Sequence, residues 1–149
     1  MVLPEPQRLA YPRQLLALLQ DADPEVRRSA ALAWATYEEE IANLEISDAD
    51  VAAGIKQEDP YDSALMENYY MAHNCFLTEG QLLRNAARLT GIPTVIVQGR
   101  YDVLCPPIIA WKLHQALPKS RLVLVEQAGN VGGAPRMRAA LVAAVKSLD

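Results

Sequence analysis

Gly91-Ile92-Pro93-Thr94-Val95-Ile96-Val97-Gln98-Gly99-Arg100-Tyr101-Asp102-Val103-Leu104-Cys105-Pro106 is the stretch whose reading decides the fold. Gly91 and Pro93 open it. Thr94 to Val97 is a short, apolar, β-branched run, which reads as a strand buried on both faces. Gly99 ends the strand and Asp102 is presented just beyond. A helical pattern, Ile108 to Leu117, then runs until Pro118 stops it. Arg121-Leu122-Val123-Leu124-Val125 is a second strand of the same kind. Pro135 to Leu148, with Met137, Ala140, Leu141, Ala144 and Val145 in phase, is the closing helix. This βαβα order predicts two adjacent parallel strands joined by a right-handed crossover. In an open α/β sheet, side chains at the carboxyl end of a strand face the ligand crevice. Asp102 is therefore a candidate catalytic acid; the other reading is an acid that satisfies turn backbone.

Upstream the pattern is helical. Residues 1–10 hold two prolines and little periodicity, which reads as an extended lead-in. Tyr11 to Leu19 is a short helix rich in leucine. Asp23-Pro24 is a cap followed by a proline suited to the first helical position. Val26, Ala30, Ala33, Trp34, Tyr37, Ile41 and Leu44 recur at three- and four-residue steps in the helix that follows. Glu38, Glu39 and Glu40 sit in its last half, where acids oppose the macrodipole. They are a solvated run or a required negative charge. Ser47-Asp48-Ala49-Asp50 resembles a capping box with Asp in place of Glu. Asp59-Pro60 repeats the cap-plus-proline start. Leu65, Met66, Tyr69, Tyr70 and His73 then give an apolar, aromatic face. Leu82 to Leu89 reads as one more helix. The organisation expected is a helical region over 1–90 and a βαβα piece over 91–149.

Composition narrows the function. Half of the 149 residues are hydrophobic (51%) and 21% are charged, so the chain is globular. A net charge of -4 argues against a nucleic-acid or anionic-membrane partner. The first residues lack a basic region and an apolar core, so no secretory leader is expected. Two isolated cysteines, Cys75 and Cys105, fit a reducing, cytoplasmic setting. Two histidines and these cysteines make no metal spacing, and Gly129, Gly132 and Gly133 lack a dinucleotide fingerprint. No metal and no cofactor is expected.

Several collinear segments resemble one family, the prolyl aminopeptidases (proline iminopeptidases) of the α/β-hydrolase fold. They are Asp23-Pro24-Glu25-Val26-Arg27, Ala33-Trp34-Ala35-Thr36-Tyr37-Glu38, Glu67-Asn68-Tyr69-Tyr70-Met71-Ala72-His73, Gly91 to Pro106, and Val125-Glu126-Gln127-Ala128-Gly129. The resemblance implies that the helical region is a cap over the active site and the βαβα piece the last part of the hydrolase sheet. It makes Asp102 the triad acid, and Glu38 and Glu67 the cap glutamates that hold the free α-amino group of a substrate. Carboxylates in a partly closed pocket suit an ammonium ion.

Two departures from that family stand in the sequence. The 149 residues contain no G-x-S-x-G nucleophile elbow. The position after Ala128-Gly129, where the family has the catalytic His, is Asn130. The family's Ser-His-Asp mechanism thus lacks its nucleophile and base here, and any hydrolysis by these residues needs a non-triad site. The alternative is a non-catalytic, self-associating remnant. Two apolar parallel strands leave exposed edges, so an oligomer, most simply a two-fold dimer, is expected to complete the sheet. Other residues read as structural: His73 as a hydrogen-bonded core histidine, Cys75 and Cys105 as buried thiols, His114 as surface, Trp111 as an anchor on the sheet.

Overall fold

The computed structural model describes residues 5–44, 46–55 and 59–148. These fall into two compact units, one of residues 1–40 and 46–79, the other of residues 41–45 and 80–149.

The first unit is helical: α1 (Glu5–Leu19), α2 (Pro24–Ala42, whose last two residues belong to the other unit), α3 (Asp48–Ile55) and α4 (Tyr61–Ala72). The predicted starts are made as the sequence suggests. Asp23 Oδ1 accepts the Glu25 amide at 2.9 Å, so α2 is capped with Pro24 in its first turn. Ser47 Oγ accepts the Asp50 amide at 3.2 Å and so caps α3, while its hydroxyl donates to Asp50 Oδ2 at 2.6 Å, where a capping box has the acid on the cap residue's backbone amide. Asp59 Oδ1 accepts the Tyr61 amide at 3.0 Å. The lead-in expected over residues 1–10 is instead helical from Glu5; residues 1–4 lie outside the described ones. Pro6 fits a first turn, and Pro12 forfeits one backbone bond. Burial of Leu15, Leu16 and Leu19 further along outweighs that loss. The core joins α1, α2 and α4 through Leu15, Leu19, Ala30, Ala31, Trp34 and Ala64. The Tyr61 hydroxyl ties α4 to α1 by donating to the Leu19 carbonyl.

The second unit begins with a short helix α5 (Gln81–Arg84) and a 3-10 turn (Ala86–Leu89), where the pattern predicts one helix. Asn85 stands between them as the cap of α5, a role its side chain favours over a helix interior. Strand β1 (Val95–Gly99) pairs in parallel with β2 (Arg121–Val125), Val95 opposite Arg121 and Gly99 opposite Val125. Helix α6 (Pro107–Ala116) makes the crossover and α7 (Pro135–Lys146) closes the unit; both pack on the two strands. Val125, Ala128 and Met137 form the core, with Val97, Val123 and Ala140 against it. The sheet has two strands among the described residues, and this corrects one expectation. Apart from Gly99 and Val125, no residue of either strand is fully buried. A strand with one neighbour has an open edge, so it cannot be covered as a central strand is. Trp111, expected to anchor α6 on the sheet, is half exposed. No helix among the described residues is long and apolar enough to cross a membrane.

Candidate functional site

Asp102 lies three residues past the end of β1, and only 7% of its surface is exposed. The loop that carries it is built by the backbone. The Arg100 and Tyr101 amides donate to the carbonyls of Val125 and Ala128, extending the β1–β2 ladder past both strands. This approach requires Gly99: a Cβ there would collide with the carbonyl oxygens of Ala128 and Gly129. Gly129 in turn lies against the Ala42 carbonyl, and the Asn130 amide donates to that same oxygen at 3.2 Å. The two strand exits are thus locked side by side, and their side chains meet. Asn130 Nδ2 donates to Asp102 Oδ2 at 3.1 Å. Gln98 Nε2 donates to the same oxygen at 3.2 Å and also to the carbonyls of Gly99 and Cys105. The Cys105 amide donates to Asp102 Oδ1 at 2.7 Å. A buried carboxyl is stable only with such donors. All three are amides, and none has a nitrogen able to take up a proton at neutral pH. In a Ser-His-Asp site the acid receives an imidazole N–H and holds that ring as base; Asp102 receives Asn130 instead. Beside this pair is a cavity of about 490 Å³ lined by Tyr101, Gln127, Gly129, Asn43, Leu44 and Arg136.

Glu38 and Glu67 meet in the first unit. Glu38 comes from α2 and Glu67 from α4, and Glu67 is near enough to act on the Glu38 carboxyl. Trp34, one helical turn before Glu38, is 7% exposed and donates its indole N–H to Glu67 Oε2 at 2.8 Å. The rings of Tyr11 and Tyr37 lie 6.5 and 5.9 Å from Trp34. Burial pushes the Glu38 carboxyl up to about 7, and the hydrogen bond and like charge of Glu67 add to the rise. The run Glu38-Glu39-Glu40 is therefore not uniformly solvated: its first member faces another helix. Sequence reading takes Trp34 as packing and misses that it orients Glu67. The signal was present, an indole four residues before a candidate acid on the same helical face.

The remaining residues move from their expected places. His73 is exposed, with Nδ1 2.7 Å from the Tyr69 carbonyl and its ring on Tyr69 and Phe76. Cys75 and Cys105 are both exposed. His114 is half-buried, with Nδ1 2.8 Å from Ser120 Oγ. Asn74, Cys75 and Phe76 all have positive φ, a left-handed turn right after α4 that brings Phe76 back onto His73. Among the described residues no three His, Cys, Asp or Glu side chains are grouped to hold a metal ion.

A parallel βαβα unit with an acid at its strand exit is consistent with part of an α/β-hydrolase sheet. Residues 64–147, more than half of the chain, match the α/β-hydrolase family described as TAP-like protein, and the chain belongs to that family. It is also similar to curated proline iminopeptidases. It is 42% identical to a probable proline iminopeptidase of Leptolyngbya boryana over 81% of this chain and 37% of that protein. The identity is 39% to the proline iminopeptidase of Xylella fastidiosa over 87% of this chain and 42% of the relative. It is 36% to that of Arabidopsis thaliana over 85% and 33%. The chain therefore spans about two fifths of the length of the curated relatives it matches.

Proposed function

We propose that this chain is a proline iminopeptidase-like hydrolase segment that holds the free amine of a peptide or small amine at Glu38 and Glu67, and that does not run a Ser-His-Asp mechanism with its own residues. The observation that supports the reading is the Glu38–Glu67–Trp34 cluster: two acids from two helices, Glu67 fixed by the Trp34 indole N–H and near enough to raise the Glu38 carboxyl. A cluster of this kind is costly unless a proton or a cation joins it. An ammonium ion, with three donors, suits it. The relatives are named proline iminopeptidases, and a peptidase substrate with a free amino end suits an amine subsite. Asp102 is read as the triad acid of that fold, held by Asn130 where a base is needed. Any hydrolysis by these residues alone would use a non-triad site. A prolyl arylamide assay tests this. The expected rate equals the buffer rate, and turnover lost in Asp102→Asn overturns it.

A second reading, self-association, is supported by the half-covered strands and by exposed Ile108, Ile109, Trp111, Val142 and Val145. In it a two-fold dimer covers the sheet edge. A reducing, cytoplasmic setting goes with either reading and is supported by the two unpaired cysteines.

A further inference from the structure

The cavity beside the Asp102–Asn130 pair lies wholly within the second unit, and its volume of about 490 Å³ suits a small molecule. Arg136, in the first turn of α7, is the one charged residue among the described residues that line it. Its guanidinium has no hydrogen bond or ion pair among the described residues, and neither the Tyr101 hydroxyl nor the Gln127 side-chain amide has a hydrogen bond there. The nearby acids are already engaged and lie outside the wall. Asp102 accepts from Gln98, Asn130 and the Cys105 amide, and Glu126 pairs with Arg100. The cavity therefore carries an uncompensated positive charge with two neutral donors beside it.

Its walls are tied together through the backbone. Gln127 has φ 51, a left-handed conformation that few residues other than glycine adopt. The carbonyl of the next residue, Ala128, accepts the Tyr101 amide at 3.0 Å, and the Asn130 amide reaches the Ala42 carbonyl. The loops that present Tyr101 and Gln127 are thus fixed before any ligand arrives, which lowers the ordering cost of binding.

We propose that this cavity binds a small organic carboxylate with an apolar body. The planar fork of a guanidinium matches the two oxygens of a carboxylate. The Tyr101 hydroxyl and the Gln127 amide can donate to the same group. Charge selects among anions: one guanidinium balances a carboxylate, whereas a phosphomonoester carries about −1.5 to −2 at neutral pH. Leu44, Val131, Ala134 and the Tyr101 ring supply apolar wall for an alkyl or aryl body. None of these residues belongs to the Glu38–Glu67–Trp34 cluster, so the proposal does not depend on the amine-site reading.

Amide NMR of the isotope-labelled whole chain, titrated with phenylacetate at neutral pH and low salt, tests this. Phenylacetamide has the same body without the charge, and phenyl phosphate has a larger charge. Phenylacetate should shift the amides of Leu44, Tyr101, Gln127 and Val131 saturably, with a dissociation constant on the order of several millimolar. Phenylacetamide should bind about tenfold more weakly or not at all, and so should phenylacetate in Arg136→Gln. Arg136→Lys, which keeps the charge and loses the fork, should fall between. Arg136 is exposed, and circular dichroism checks that each variant keeps its helices. Phenylacetate binding equally well to Arg136→Gln, or phenylacetamide binding as tightly as phenylacetate, overturns the proposal. Phenyl phosphate binding more tightly than phenylacetate overturns the choice of a carboxylate. The absence of any saturable shift with phenylacetate up to about 50 mM, well above the expected constant, overturns the site itself.

Discussion

Asp102 has three amide donors and no imidazole, and this local fact governs what the strand exit does. Removing one donor leaves a buried acid less well held. Asn130→Ala should cost about 1–3 kcal/mol, read as a lower denaturant midpoint with unchanged slope. Gly99→Ala forces a Cβ into two carbonyl oxygens and should cost about 1–3 kcal/mol or more, since the atoms in the way are backbone. Glu38 makes stability depend on pH. The folded carboxyl keeps its proton to about pH 7, while the unfolded chain gives it up near 4.5. Between those values the native state binds more protons, so this contribution is fully present below about pH 4.5 and is lost as pH rises through 7. The melting temperature of the wild type should fall relative to Glu38→Gln between pH 5 and pH 8. An equal change in both proteins would contradict a raised Glu38 carboxyl in the folded chain.

At the scale of elements, helix caps and core stripes were legible because their signals are local. Asp23, Ser47 and Asp59 each cap as their sequence neighbours suggest. The βαβα order and the parallel pairing followed from two apolar runs separated by a helical period. What was not legible depends on distant neighbours. The strands read as fully buried because their composition is apolar, but burial is set by how many strands and helices lie beside them. The Glu38–Glu67 contact joins two helices, and family resemblance rather than periodicity singled the two residues out. The Trp34 bond to Glu67 was missed because a tryptophan in a helix stripe reads first as core. Two tests belong here. Asp23→Ala should lower stability by about 1 kcal/mol through loss of the α2 cap. Leu19, fully buried where α1, α2 and α4 meet, should cost about 2–5 kcal/mol on replacement by Ala.

For the whole molecule, the family match and the likeness over both units account for what the chain resembles. The TAP-like match runs from α4 through α7, and the iminopeptidase likeness extends over both units. If the open strand edge is closed by a second copy, sedimentation at micromolar concentration gives a dimer of the 16.4 kDa chain; a stable monomer removes that reading. In the proposed reading Glu38, Glu67 and Trp34 form an amine site. The chain has two tryptophans, Trp34 in that cluster and half-exposed Trp111 in the other unit, so its two indole N–H resonances report on the site and on a control. Adding an amino-acid amide at pH 7.5 should shift the Trp34 indole resonance saturably and leave Trp111 in place, with the shift lost in Glu67→Gln. A Trp34 resonance that does not move, or that moves equally in Glu67→Gln, would rule out an amine site at this cluster.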